Sequence, residues 1–198
     1  MKIGLTGSIA CGKSTVSAYL RECGFVVADA DAISHELTAP GGAALPLLRA
    51  HFGDGIFSGN ELDRKKLGSL VFSNPEQRAA LNAILHPLII AQIHEKLEAH
   101  DAPDTLVFGD IPLLYECGME TMFDRIWVVS VPRDLQIARL YERDGLSAQE
   151  AERRINAQMP LGEKERRADA VIRTNGPVEA TRRQVRLLID AAIQRRQK

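Results

Sequence analysis

A phosphate-binding loop is the clearest chemical signal in the sequence. Residues 7–14, Gly-Ser-Ile-Ala-Cys-Gly-Lys-Ser, match the pattern G-x-x-x-x-G-K-[ST] at every position, and Thr15 follows. Glycines let the backbone approach phosphates closely, and amides at the start of the next helix lie where the helix dipole favours anions. The pattern predicts an ATP site with contacts from Ala10, Cys11, Gly12, Lys13, Ser14 and Thr15.

Two side chains of this loop are expected to act directly. Lys13 should reach the β- and γ-phosphates, which makes it a candidate catalytic residue, and the Ser14 hydroxyl should be a ligand of Mg²⁺. The alternative is a glycine-rich turn with a surface lysine. It is disfavoured because an apolar segment precedes the loop and an amphipathic one follows it.

Carboxylates stand where a second predicted strand, residues 25–28, ends. Ligands of doubly wound sheets bind at the carboxyl ends of the strands, so Asp29 and Asp31 are expected near the transferred group. We predict that Asp31 is the catalytic residue that orients or deprotonates an acceptor hydroxyl. Two alternatives stay open at this point: Asp31 caps a helix N-terminus, or it belongs to the Mg²⁺ shell.

A third acid and a group of arginines complete the candidate set. Asp110 follows a third predicted strand, residues 106–108, and is a second candidate for the metal, with a loop cap as its alternative. Arginines on a closing lid can neutralise the charge of a transferring phosphoryl group, so at least one catalytic member is expected in this group. The arginine-rich segment contains Arg133, Arg139, Arg143, Arg153, Arg154, Lys164, Arg166 and Arg167.

Strands and helices alternate along the chain, which predicts a doubly wound α/β fold with a parallel five-stranded sheet flanked by helices. The strands are predicted at residues 2–6, 25–28, 106–108, 126–131 and 171–172. A closing helix is predicted at residues 178–196, with Val185, Leu188, Ile189, Ala192 and Ile193 turned inward.

Two long stretches do not fit this alternation. Residues 32–104 contain several helical patterns and are too long for an ordinary crossover, so we predict an inserted helical subdomain. Residues 133–167 also have helical patterns. His86-Pro87 predicts a local break in the first stretch.

The composition excludes several classes of protein. The 198 residues include 25 Lys and Arg against 26 Asp and Glu, and this balance argues against a dedicated nucleic-acid or membrane-surface protein. Three cysteines without metal-ligand spacing fit a reducing cytoplasm, and neither a signal peptide nor a membrane span is expected. The sequence carries no signal of oligomeric state.

The chain resembles the dephospho-CoA kinase family over nearly its whole length. The more specific segments are Leu85-His86-Pro87-Leu88, Pro112-Leu113-Leu114-Tyr115-Glu116 and Arg154-Ile155-Asn156-Ala157-Gln158. The resemblance implies ATP-dependent phosphorylation of the ribose 3′-hydroxyl of dephospho-CoA, the last step of coenzyme A biosynthesis. It also implies a P-loop kinase core at residues 1–31, 105–135 and 166–198, a helical acceptor-binding domain at 32–104 and a lid at 136–165.

The resemblance also assigns roles to single residues. Asp31 matches the family's catalytic base. Arg64, His86, Pro112 and Leu113 match positions around the acceptor. Arg139 and Arg154 match lid positions that face phosphates, which makes Arg139 a catalytic and Arg154 a substrate-binding candidate. Asn175 lies in the loop that contacts the adenine in related kinases.

The phosphate loop departs from the family's usual Gly-Gly-Ile-Gly-Ser-Gly-Lys-Ser at Ser8, Ala10 and Cys11. Each replacement is small, so the phosphate cradle should persist. If the loop needs a positive φ at Ala10, strain is expected there, because side chains other than glycine rarely adopt it.

Two rival functions follow from the same residues. One is a kinase for another small acceptor, such as a nucleoside monophosphate or shikimate. The other is a non-catalytic nucleotide-sensing module or assembly ATPase, which fits poorly with an acid at the end of the second strand. Dependence of ADP release on an acceptor separates the second rival from any kinase.

Overall fold

The computed structural model describes residues 1–103 and 105–196. Residue 104, where the predicted acceptor-binding domain ends, and residues 197 and 198, the last two of the predicted kinase core, lie outside this range. The strands are β1 Lys2–Gly7, β2 Val26–Asp29, β3 Phe57–Ser58, β4 Glu61–Leu62, β5 Val107–Asp110, β6 Arg125–Ser130 and β7 Ala170–Arg173. The helices are α1 Lys13–Glu22, α2 Ala30–Leu37, α3 Leu45–Phe52, α4 Arg64–Ser73, α5 Pro75–Glu98, α6 Arg133–Asp144, α7 Ala148–Asn156, α8 Leu161–Arg167 and α9 Val178–Arg196.

The main sheet has five strands in the described part of the chain, in the order β2-β5-β1-β6-β7. Strand β1 pairs in parallel with β5 and β6, and β6 pairs in parallel with β7. Both β1 and β6 are buried from their second residue onward, which explains their apolar sequences. The predicted doubly wound parallel sheet is confirmed. Its register pairs Leu5 with Asp110, so the carboxyl ends of β1 and β5 lie side by side.

The chain divides into two compact units. The first comprises residues 1–28 and the chain from Leu97 onward, and it contains β1, β5, β6 and β7. Its core is formed by apolar side chains of the sheet and of helices α1 and α9, among them Leu5, Leu20, Phe108, Trp127 and Val185. No helix within the described ranges is long and apolar enough to span a membrane.

The second unit comprises residues 29–96 and is mainly helical. It contains α2, α3, α4 and most of α5, together with the short antiparallel pair β3–β4, which the sequence patterns did not predict. The predicted break at His86-Pro87 is wrong, because α5 continues through Pro87. Proline removes one backbone donor, but a 24-residue helix has enough flanking turns to outweigh that loss.

Two smaller expectations also need correction. Asp110 was predicted to follow the third strand, but strand β5 includes Asp110 as its last residue. Ile193 was expected to face inward with Val185 and Ile189, but it is 37% exposed. The buried face of α9 contains Val185, Ile189 and Ala192, and Ile193 lies one residue after Ala192, about 100° further round the helix.

Candidate active site

The phosphate loop connects β1 to α1, and two of its glycines are required by geometry. A Cβ on Gly7 would lie 2.5 Å from the sulfur of Cys11 and 2.7 Å from the carbonyl oxygen of Val129, so no larger residue fits. Gly12 has a φ of 84°, in the left-handed region that glycine adopts without strain, and α1 begins directly after it. The loop therefore has the tight turn that phosphate binding requires.

Cys11 fills space beneath this loop. Its side chain is 1% exposed, and burial raises the pKa of its thiol, so the reactive thiolate is disfavoured. The contribution of Cys11 to the site is its backbone.

The backbone of Ala10 is strained, as the sequence analysis predicted for a loop that needs a positive φ at this residue. Its φ is 58°, and it is the non-glycine residue with positive φ in the described chain. The left-handed conformation costs an L-residue about 1–2 kcal/mol. The site therefore contains stored backbone strain at Ala10.

Replacing Ala10 with glycine is expected to stabilise the protein by about 0.5 kcal/mol, because the relief of strain exceeds the extra entropy of the unfolded chain. The free energy of unfolding in urea measures this change. Ala138→Gly, in the exposed middle of α6, is the matched control and should destabilise by about 1 kcal/mol. Equal destabilisation by both substitutions would show that Ala10 is not strained.

The carbonyl groups of the loop are held by side chains from other parts of the first unit. The carbonyl oxygen of Gly7 accepts a hydrogen bond from Lys164 Nζ (3.2 Å), and that of Ile9 accepts one from Gln136 Nε2 (2.7 Å). The carbonyl oxygen of Ala10 accepts from Arg139 Nη1 (3.2 Å), and that of Cys11 accepts from Thr174 Oγ1 (2.6 Å). In a trans peptide the N–H of the next residue points opposite to the carbonyl. Fixing these carbonyls therefore also fixes the direction of the amides that the loop offers to an anion.

A cleft of about 420 Å³ opens beside the loop. Its lining includes Ala10, Gly12, Ser14, Thr15 and Arg139. Four of the predicted nucleotide contacts in the loop, Ala10, Gly12, Ser14 and Thr15, therefore line the same cleft. Asn175 is exposed, and its neighbours Thr174 and Gly176 line the same cleft.

Lys13 and Asp110 form an ion pair next to the loop. The carboxylate of Asp110 is 3% exposed and also accepts a hydrogen bond from the hydroxyl of Ser17. The pairing of β1 with β5 places this acid beside the loop, as the register requires. The sequence suggested the acid but gave no reason to select Ser17, which lies one helical turn after Lys13.

The side chain of Arg139 contacts the phosphate loop, whereas that of Arg154 lies beside Asp144. The guanidinium of Arg139 donates to the carbonyl oxygens of Ala10 and Thr174, at 3.2 and 2.6 Å, and to the hydroxyl of Thr174 at 3.2 Å. Arg154 is 55% exposed and lies 3.7 Å from the carboxylate of Asp144. The structure therefore places Arg139 at the loop and Arg154 away from it, although both were predicted to face phosphates.

Gln136, Gln158 and Thr174 are site residues that the sequence analysis did not select. Gln158 Oε1 accepts from the amide of Ile9 (2.8 Å) and the hydroxyl of Ser8 (3.1 Å). The position of Gln158 in the family-like segment at residues 154–158 was the available signal. For Gln136 and Thr174 the sequence offers no comparable pattern.

Asp31 lies in the second unit, in the first turn of α2. The cap of this helix is Asp29, whose carboxylate accepts from the amides of Asp31 (3.0 Å) and Ala32 (3.1 Å). The interpretation of Asp31 as the helix cap is therefore wrong. The side chain of Asp31 is exposed.

The other acceptor-side candidates lie in both units. Arg64 begins α4 in the second unit and donates to the hydroxyl of Thr38 at 2.8 Å. His86 is partly buried within α5. In the first unit, Pro112 and Leu113 follow β5; the carbonyl of Pro112 accepts two hydrogen bonds, and Leu113 is 39% exposed.

Comparison with known proteins places the chain in a family. A family model described as dephospho-CoA kinase matches residues 1–180. A dephospho-CoA kinase of Geobacillus kaustophilus is 49% identical over 188 residues, which cover 93% of each chain. The solved structure of a dephospho-CoA kinase from Campylobacter jejuni is 30% identical, with a TM-score of 0.77 over 98% of each chain.

A more distant structure shares the fold alone. Shikimate kinase from Acinetobacter baumannii, solved with shikimate, aligns with a TM-score of 0.58 at 17% identity and covers 100% of this chain and 95% of its own. Its fold agrees with a P-loop kinase core, and its low identity carries no information on substrate. The family model matches residues 1–180, and the Geobacillus kaustophilus relative is 49% identical over 93% of each chain. The chain therefore belongs to the dephospho-CoA kinase family.

Proposed function

We propose that the chain transfers the γ-phosphoryl group of ATP to the ribose 3′-hydroxyl of dephospho-CoA, the last step of coenzyme A biosynthesis. The observation that carries this proposal is the family match over residues 1–180, a range that includes every residue to which we assign a role. The reaction belongs in the cytoplasm, where the free thiols of Cys11, Cys23 and Cys117 would stay reduced.

ATP binds with its phosphates on the loop amides of residues 10–15. The cleft beside the loop supports this placement, since Ser14, Thr15 and Arg139 line it. Lys13 then contacts the β- and γ-phosphates, and Asn175 lies next to the adenine. The side chains that hold the loop carbonyls keep the amides in place without reorganisation during the reaction.

Mg²⁺ would be held by the Ser14 hydroxyl, with Asp110 as a second candidate. Magnesium in such sites keeps several waters and uses one or two protein oxygens besides the substrate phosphates, so this small oxygen donor set fits. The exposed hydroxyl of Ser14 on the cleft and the carboxylate of Asp110 beside Lys13 support the assignment. When bound, the ion neutralises phosphate charge.

The acceptor is prepared by Asp31. Its carboxylate orients the 3′-hydroxyl and takes its proton as the oxygen attacks the γ-phosphorus, while the bond to the β–γ bridging oxygen breaks and ADP leaves. The exposed position of the Asp31 side chain, in the first turn of α2, supports this role. Arg64, His86, Pro112, Leu113 and Arg154 bind the rest of the acceptor.

The helical segment of residues 32–104 is the acceptor domain, and residues 136–165 form a lid over the donor phosphates. The compact second unit supports the first assignment. The second is supported by packing, since Leu140, Ala151 and Ile155 form a buried cluster against Ile9 and Ala10 of the loop. Arg139 is the lid arginine with direct access to the loop, and it is the one assigned to stabilise the transferring phosphoryl group.

The test is a coupled assay of ADP release with MgATP, alone and with dephospho-CoA, AMP, CMP or shikimate. We expect turnover with dephospho-CoA and none above background with the other acceptors. Turnover with AMP, CMP or shikimate instead would keep the kinase core and overturn the acceptor. ATP binding with no acceptor-dependent ADP release would indicate a nucleotide-sensing module.

A further inference from the structure

Lys164 is a charged side chain that the proposed reaction does not use, yet it is fully buried. It lies in α8 with a relative exposure of 0%. Lysine is almost never buried to this degree unless its charge is paired, because the ammonium group loses its hydration. Such a residue is retained at a cost in stability, which calls for a role beyond filling the core.

The ammonium of Lys164 joins two segments of the first unit. It donates to the carbonyl oxygen of Gly7 at 3.2 Å and to that of Pro112 at 3.0 Å. It also forms an ion pair with Glu116, at 2.9 Å, whose side chain is 22% exposed. Gly7 begins the phosphate loop, and residues 112–116 are the segment assigned to the acceptor side.

Two of the three partners of Lys164 are held a second time. The carbonyl of Pro112 also accepts from the hydroxyl of Thr6 at 3.0 Å. The carboxylate of Glu116 also accepts from the amide of Met159 at 3.0 Å. Met159 directly follows Gln158, which binds the loop at Ser8 and Ile9. The ammonium therefore lies at the centre of a network that connects β1, the loop and residues 112–116.

We propose that Lys164, with Glu116, is a positioning residue that sets the distance between the phosphate loop and the acceptor-side segment at residues 112–116. This inference rests on the proposed function and deepens it. Loss of the ammonium frees the carbonyl of Gly7, whereas the carbonyls of Ile9, Ala10 and Cys11 keep their own donors. ATP binding therefore persists, while the alignment of donor and acceptor is lost.

The expected signature is a change in kcat with little change in MgATP affinity. Misplacement of reacting groups by about 1 Å costs on the order of 100-fold in rate. We expect Lys164→Met to lower kcat by roughly 30- to 100-fold and to change the Kd of MgATP by less than about threefold. The variant should also have a lower Tm, because Glu116 is left without its partner.

A double variant separates positioning from stability. Lys164→Met combined with Glu116→Gln removes both charges, so it should recover most of the lost Tm while kcat stays low. Lys2→Met with Glu98→Gln is the matched control, since it removes another ion pair of the first unit, at the start of β1. This control should keep the wild-type kcat. If Lys164→Met alone does not fold, the double variant still gives the result.

The experiment measures kcat and KM for dephospho-CoA, the Kd of MgATP by titration calorimetry, and Tm. A double variant with recovered Tm and a kcat close to wild type would show that Lys164 is only structural and would overturn the inference. A loss of MgATP affinity equal to the loss of kcat would also overturn it. Absence of dephospho-CoA turnover in the wild-type protein is a different result, because it would overturn the proposed function.

Discussion

Replacing Lys13 with methionine is expected to lower kcat by about 1,000-fold, because the transferring phosphoryl group loses a positive charge aimed at its oxygens. The aliphatic part of the side chain is kept, so packing should change little. The same substitution leaves the carboxylate of Asp110 buried beside Ser17 without its cation. Breaking a buried pair in this way costs about 3 kcal/mol, so a lower free energy of unfolding is also expected.

The two effects of Lys13→Met can be separated with a second substitution. Lys13→Met with Asp110→Asn removes the unpaired charge and should recover stability without recovering activity. Steady-state kinetics and urea unfolding of both variants make this comparison. If the double variant recovers activity together with stability, Lys13 has no catalytic role. A single variant with nearly wild-type kcat would contradict the assignment of the loop itself.

Replacing Asp31 with asparagine is expected to lower kcat by about 100-fold or more, while the protein folds and binds MgATP as before. The reason is the loss of a group that accepts the acceptor's proton, a contribution of roughly 10² to 10⁴ in rate. The amide keeps the size of the carboxylate. Helix α2 should be unaffected because its cap is Asp29. Circular dichroism and MgATP titration check the fold and the donor site.

Asp29→Asn is the matched control for Asp31→Asn. Asparagine caps helices about as well as aspartate, so α2 should persist, and turnover should stay within about threefold of wild type. A large loss in Asp29→Asn with none in Asp31→Asn would transfer the catalytic role to the other acid of the pair. Equal losses in both would indicate that the two carboxylates act together.

The contacts of Arg139 connect α6 to the phosphate loop. Its guanidinium holds the carbonyl of Ala10, the strained residue of the loop, and the same helix packs Leu140 against Ile9 and Ala10. Ala10 is therefore in contact with α6 through both polar and apolar groups. This connection explains how a residue with a strained backbone is kept in place.

The local features of the fold could be predicted from the sequence because they depend on neighbouring residues. The phosphate loop, the apolar strands before it and after residue 105, and the helix that begins at Lys13 follow from spacing and periodicity. The possible strain at Ala10 was also predictable, since it depends on one residue type at one loop position. The local signal at Pro87 gave a wrong prediction of a helix break, because the helical turns on both sides of Pro87 stabilise α5 by more than the proline destabilises it.

The side chains that hold the loop were decided only by the tertiary structure. Lys164 and Gly7 are 157 residues apart in sequence, and Thr174 and Cys11 are 163 apart. No periodicity relates such pairs, because their contact depends on how β6, β7 and the helices between them pack beside β1. The sequence by itself determined a loop able to bind phosphates. The packing of the first unit decided which distant donors fix its carbonyls, and therefore the direction of its amides.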